Sequence, residues 1–177
     1  MSNLTFEYLD YKHEGIIQEF ICDEEPSVAI FLKEHALRLH KLQSAITRLY
    51  FDENQNLIGF FTLFNDHVSI HKGIVKKENW ELPNELSQFP AIKLHYFGVD
   101  SRFQRRGYGE YLLLEVIDIC QDIVRVSGCN FLTLEAFENV VEFYKTYGFI
   151  RFNTRKQFIQ GQRVVLTDMA LKLGELD

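Results

Sequence analysis

The sequence predicts an α/β (α+β) fold, a central mixed and mostly antiparallel sheet flanked by helices. Three observations carry that expectation. Thr47 to Phe51 and Leu57 to Phe64 are rich in β-branched and aromatic residues, and the polar turn Asp52-Glu53-Asn54-Gln55-Asn56 between them marks an antiparallel hairpin. From Ile92 onward, strand and helix periodicities alternate. Val164 to Leu173 closes the chain as a strand, with Met169, Leu171 and Leu173 on one face. The order is not that of a regular doubly wound sheet.

Taken from the start, Leu4 to Leu9 alternates weakly and reads as a first strand. Ile16, Ile17, Phe20 and Ile21 then recur at helical spacing. Pro26 opens a longer helix to about Leu42, with Val28, Phe31, Leu32, His35 and Leu39 on one face and Ser27 as its cap. After the hairpin, His71 to Pro90 shows neither period and reads as a long excursion. Ile92 to Val99 is a strand. Gly107 to Val126 is a helix whose Leu113, Val116, Ile117, Cys120 and Val124 form an apolar stripe, stopped by Ser127-Gly128. Phe131 to Ala136 is a strand, Asn139 to Tyr147 a short helix stopped by Gly148, and Phe149 to Phe152 begins the next strand.

The 177 residues are 46% hydrophobic and 25% charged, as expected of one folded domain spanning 1–177. A chain of this size buries roughly 70% of its unfolded surface, so it needs neither disulfide nor structural metal. Cys22, Cys120 and Cys129 are an odd count without metal-ligand spacing, which points to reduced thiols and a cytoplasmic protein. No apolar run reaches the ~20 residues that span a bilayer. The net charge of −6 disfavours nonspecific nucleic-acid binding. Two local basic groups remain, Lys93 with Arg102, Arg105 and Arg106, and Arg151 with Arg155, Lys156 and Arg163.

The strand Ile92 to Val99 runs through Asp100-Ser101-Arg102-Phe103 into Gln104-Arg105-Arg106-Gly107-Tyr108-Gly109, which opens the following helix. A helix start presents unpaired N–H groups and the positive end of the dipole, so a phosphate is bound there if the backbone approaches closely. Glycine permits that approach. The spacing is not GxGxxG and no Lys-Ser/Thr pair follows, which removes support for dinucleotides and nucleoside triphosphates.

With Gln104 placed three residues before Gly107, the turn reads Gln-x-x-Gly-x-Gly and resembles the acyl-CoA signature of the GNAT superfamily of acetyltransferases. The preceding LHYFGVD of Leu94 to Asp100 is similar to that family's strand, and Phe143 to Phe149 resembles its FYxxxGF segment. The resemblance covers roughly residues 92 to 152. It implies acetyl-CoA as cosubstrate, no metal, pantetheine contacts along Phe97, Gly98 and Val99, and a pyrophosphate held by the amides from Arg105 to Glu110. It also implies an oxyanion contact from the Val99 N–H and Tyr144 as general acid. Without it, Tyr144 reads as a core aromatic. The upstream segments FIC, FLKEHA and LIGFFTL resemble the toxin-like branch that acetylates aminoacyl-tRNA.

Amide formation from a thioester needs a neutral amine, a stabilised oxyanion and a proton for the thiolate. A phenol near pKa ~10 supplies that proton at little cost. His95 and Glu135 are the candidates for a general base, each more readily read as structural. Phe137 stands where many members carry Asn, and Asn139 reads as a helix cap. The expected function is N-acetylation of a primary amine, small or peptide-borne. The alternatives are the α-amine of aminoacyl-tRNA and a noncatalytic acyl-CoA-binding module. Homodimers are common in such domains.

Overall fold

The computed structural model describes residues 4–159 and 161–174. In chain order the elements are β1 (Thr5–Tyr8), α1 (Glu14–Gln18), α2 (Pro26–Phe31), a π-helical turn (Leu32–Ala36) leading into α3 (Leu37–Lys41), β2 (Ile46–Phe51) and β3 (Leu57–Val68). There follow α4 (Lys72–Lys77), β4 (Phe89–Val99), α5 (Tyr108–Ser127), β5 (Phe131–Phe137), α6 (Val141–Thr146), β6 (Ile150–Ile159) and β7 (Gln162–Lys172). The strands lie in the order β1-β2-β3-β4-β5-β7-β6. β4 and β5 are neighbours joined through the crossover helix α5, which makes them parallel, while β1/β2, β2/β3, β5/β7 and β6/β7 are antiparallel. The sheet is therefore mixed, as its sequence indicates. Internal contacts divide the chain into two units, Met1–Phe64 with Leu94–Ile117, and Asn65–Lys93 with Asp118–Asp177.

In the first unit, α1 and the chain just after it supply Ile17 and Phe20, and α2 and the π-helical turn supply Phe31 and Leu32, to a core shared with Leu49 and Phe60 of the hairpin. Phe20, Leu32, Leu49 and Phe60 are fully buried, each worth about 1.5–3 kcal/mol. The helical run starts at Pro26, where a missing N–H costs nothing, and ends where Gln43 adopts φ +56°. Ser27 does not cap it. Glu25 holds the cap position without a side-chain bond, and the Ser27 hydroxyl instead donates to Glu25 Oε1 at 2.7 Å. The buried hydroxyls of Thr47 and Thr62 bond each other at 2.8 Å, so neither is left unpaired on the sheet.

In the second unit, Val68, Ile70, Phe89, Ala91, Phe131 and Ala170 form a core, and Trp80 packs on Phe131 with ring centroids 5.1 Å apart. The excursion is more ordered than its composition suggests: α4 lies within it, capped by His71, whose Nδ1 accepts from the Gly73 N–H at 3.1 Å. β4 begins at Phe89, so Pro90 sits inside a strand start rather than before it. Asn139 is not a cap either. It lies in a 3₁₀ turn, Glu138–Val140, and neither that turn nor α6 has a side-chain cap bond. All three cysteines are free and buried, and burial pushes the Cys120 thiol up to about 12. No helix among the described residues is long and apolar enough to cross a membrane.

Gly59 sets how closely β3 approaches β4, and Gly98 how closely α2 packs on β4. A Cβ on Gly59 would lie 2.6 Å from the carbonyl oxygen of Gly98, and a Cβ on Gly98 would lie 2.6 Å from Val28 Cγ1. The first clash is with backbone, which cannot rotate away. Gly59→Ala is accordingly expected to destabilise the protein by about 1–3 kcal/mol in chemical denaturation. Unchanged stability would show that the two strands have room to part.

Candidate functional site

β4 delivers the chain to Asp100, whose carboxylate is fully buried and accepts from the Ile21 N–H (3.0 Å), the Arg102 N–H (3.0 Å) and Arg102 Nε and Nη2 (both 2.8 Å). Burial alone would raise the Asp100 pKa, but these donors outweigh it and hold the carboxyl below its ordinary range. The segment that follows is fixed locally. The Gln104 side chain donates to the Val99 carbonyl at 3.0 Å, closing the loop back onto the strand end. Arg105 then adopts φ +60° and Gly107 φ +85°. A non-glycine residue in the left-handed region costs on the order of 1–3 kcal/mol, and such cost concentrates at sites where backbone geometry is used. Alternating backbone hands of this kind turn successive N–H groups toward one side, a concavity suited to anions.

α5 starts at Tyr108, and its first bond closes from the Tyr111 N–H to the Gly107 carbonyl at 3.1 Å. The turn thus runs directly into the N-terminus of a 20-residue helix, whose initial amides have no intrahelical acceptor. Gln104, Tyr108 and Gly109 are half-buried, and Arg105, Arg106, Gly107 and Glu110 are exposed. Phe97 is half-buried, with Gly98 and Val99 buried. All ten residues expected to hold a cofactor therefore fall in one continuous segment of the first unit, its amides accessible at the turn. Among their side chains, Arg105 lies 3.7 Å from Glu24, and Arg106 donates to the Arg102 carbonyl at 3.2 Å.

His95 belongs to the same unit. Its half-buried ring meets Phe31 and Phe64 edge-on, each at 5.1 Å between centroids. These two edge-on contacts fix the orientation of the ring.

In the second unit, Tyr144 of α6 is 7% exposed, its ring against Phe143 (5.2 Å) and Phe149 (5.6 Å). Burial pushes its hydroxyl pKa above the ordinary phenol value. Gly148, at φ +87°, ends α6 and brings the chain back toward Leu171 of β7. Glu135 of β5 accepts from Lys93 Nζ at 2.6 Å and from Arg155. Burial raises its pKa, yet the two cations prevail and hold it below the ordinary carboxylate range, which leaves a poor base. Its surroundings form a polar cleft of ≈ 310 Å³, lined among others by Asp66, Lys93, Asn153, Arg155 and Asp168. Asp66, Asn153 and Asp168 carry no motif, and only the cross-strand register brings the last two to Glu135.

The basic groups are mostly spent on carboxylates. Arg102 pairs with Asp100, Lys93 with Glu135, Arg155 with Glu135 and Asp168, and Arg151 lies 3.8 Å from Glu138. Lys156 and Arg163 have no ion pair among the described residues. They flank Phe158, which is 76% exposed and faces Arg163 across the β6/β7 pair.

The chain belongs to the acetyltransferase (GNAT) family, whose model matches residues 13–149. Solved structures share the fold. AtaT complexed with acetyl-methionyl-tRNAfMet is 22% identical over 93% of this chain and 94% of that one, with a TM-score of 0.72. A mutant of KacT is 23% identical over 94% of each chain at 0.73, and a bacterial toxin 18% identical over 97% of this chain and 92% of that one at 0.77. No curated protein sequence matches significantly.

The Asp100 network makes a prediction about acid. Because the folded carboxyl titrates below the unfolded value of ~3.9, its contribution is complete above about pH 4 and is lost as pH falls through the folded value. Asp100→Asn is expected to cost about 1–3 kcal/mol at pH 7, since a neutral amide in the same buried place cannot accept all four bonds, and to flatten the acid limb of the stability curve. Equal acid sensitivity of the two proteins would contradict this.

Proposed function

We propose that this GNAT protein transfers the acetyl group of acetyl-CoA to a primary amine by direct attack, without a covalent enzyme intermediate. The observation that carries the proposal is the turn Gln104 to Glu110, with left-handed Arg105 and Gly107 leading into α5. In this reading the amides from Arg105 to Glu110 hold the CoA pyrophosphate, and the backbone of Phe97, Gly98 and Val99 lies along the pantetheine arm. Exposed amides and glycine at the turn fit an anionic diester, and the half-buried β4 end fits an uncharged amide chain. The family match takes in residues of both units, which supports reading 1–177 as one acyltransferase.

The amine nitrogen attacks the thioester carbon with the Val99 N–H stabilising the oxyanion, the C–S bond then breaks, and Tyr144 gives its proton to the departing thiolate. The raised Tyr144 pKa does not oppose this role. A site dry enough to disfavour phenolate disfavours thiolate as well, so the two pKa values rise together and the proton still moves at little cost. Neither His95 nor Glu135 is needed as a base, because an amine that arrives neutral, or loses its proton to water, suffices. Tyr144→Phe is expected to lower kcat about 10²–10⁴-fold while acetyl-CoA affinity is unchanged. Undiminished turnover would remove Tyr144 from the chemistry.

A second reading makes the acceptor the α-amine of an aminoacyl-tRNA. The AtaT complex and the exposed Lys156, Phe158 and Arg163 favour it, since aromatic and cationic side chains together suit an unpaired RNA strand. The net charge of −6 weighs against it. Expression in a bacterial host should then arrest growth, and Tyr144→Phe should relieve the arrest. Unaffected growth, with no tRNA retained at low salt, would sink this reading.

A further inference from the structure

We infer that the free edge of the sheet at β1 docks an extended, acidic segment of a partner polypeptide, which adds as a further strand and places a carboxylate on Arg48. β1 ends the strand order and pairs only with β2 among the described residues, so its outer N–H and C=O groups have no strand beside them. Such edges are commonly guarded by charge. Here the one charged side chain of β1, Glu7, is half-buried and committed to Lys12 and to His13 Nε2. The other face of β1 carries Phe6 and Tyr8, whose cross-strand partners are Tyr50 and Arg48 of β2. α5 covers this face only in part. Tyr50 is 1% exposed, its ring 6.4 Å from that of Tyr111 and its hydroxyl donating to Glu115 at 3.3 Å, whereas Phe6 is 44% and Tyr8 51% exposed.

Arg48 defines the partner's charge. Its guanidinium stands 4.4 Å from the centroid of the Phe6 ring and 5.2 Å from that of Tyr8, and Nη2 donates to the Tyr8 hydroxyl at 3.1 Å. Two exposed rings thus hold a half-buried cation in one orientation, and it has no ion pair among the described residues. Glu115 bonds the Tyr50 hydroxyl rather than Arg48. A guanidinium already fixed in place offers paired N–H donors whose complement is a carboxylate. An RNA strand needs several cations along its phosphates, and the neighbouring Lys12 and Lys41 are spent on Glu7 and Asp10. A second copy pairing through its own β1 would bring Phe6, Tyr8 and another Arg48, but no uncommitted carboxylate on that strand. The complement of this edge is therefore a peptide, with backbone for β1, apolar side chains for Phe6 and Tyr8, and an Asp or Glu for Arg48. β1 has 4 residues, so the added segment is short.

Panning a random linear peptide library displayed on phage, in parallel against the whole protein and its Arg48→Gln variant, tests this. Peptides enriched on the unmodified protein should carry an Asp or Glu among apolar residues, and that acidic preference should vanish on the variant. Their synthetic forms should shift the backbone amides of Thr5 to Tyr8 in NMR titration and slow their hydrogen exchange, as strand addition requires. Changing the peptide's acid to its amide, or Arg48 to Gln, should each lower affinity about fivefold, ~1 kcal/mol. Both changes together should cost no more than either alone. Phe6→Ser, at an exposed ring, should weaken the same peptides and serves as the second variant if Arg48→Gln lowers the melting temperature. Acetyl-CoA affinity should be unchanged in both variants, so failure here and failure of the transfer reading are separate results. Absence of acidic enrichment, or enriched peptides that leave the β1 amides unmoved, overturns the inference. So does displacement of those peptides from β1 by single-stranded oligouridylate, which would give the surface to RNA. Self-association that protects the β1 amides without any peptide would give the edge to a second copy and overturn it as well.

Discussion

Asp100 sits at the end of β4 with no exposed surface, and four donors beyond its own residue keep it charged there. A desolvated carboxylate tolerates little misplacement, because each lost hydrogen bond leaves charge in a dry site. Its own N–H is held by the Ile58 carbonyl at 2.9 Å, and Ser101 is tied on both sides, its N–H to Ile21 (2.8 Å) and its hydroxyl to Asp23 N–H (2.9 Å). Strand β3, the chain after α1 and the start of the turn are thereby locked to one point. Gln104 and the left-handed Arg105 follow from that anchor.

Two opposite electrostatic regimes meet in this protein. Tyr144 packs against aromatic rings, and burial favours its neutral form. Glu135 lies against the Lys93 and Arg155 cations, which favour its charged form, and Arg155 also bonds Asp168. The overall charge of −6 describes neither place. Of the arginines that cluster in sequence, Arg102 and Arg155 are held by carboxylates with little exposure, while Arg105 and Arg151 face exposed ones.

The strand, turn and helix from Ile92 to Val126 were legible because their chemistry is local: alternation, then glycine, then a 3.6-residue stripe. The FYxxxGF segment is legible only through its resemblance to the family motif, since by composition Tyr144 reads as a core aromatic. What escaped depends on contacts far apart in sequence. Asp100 looked like a strand-end turn residue, and its importance comes from Ile21, 79 positions away. The cleft could not be read at all, since Asp66, Glu135, Asn153 and Asp168 come from four strands and meet only through register. Ser27 and Asn139 are good cap residues by type, yet Ser27 falls inside α2 and Asn139 inside a 3₁₀ turn, so neither stands at a cap position. Composition likewise hid α4, a helix too short to show a period, started by a histidine cap.

The central claim is that backbone amides between Arg105 and Glu110 hold the pyrophosphate of an acyl carrier. Isothermal titration with acetyl-CoA and with S-acetylpantetheine, which keeps the thioester arm and lacks the nucleotide and its phosphates, tests it most directly. Acetyl-CoA should bind at least about tenfold more tightly, an advantage of ~1.4 kcal/mol or more, and adding salt should erode the difference. Equal affinity for the two, or no binding of either, would contradict the account.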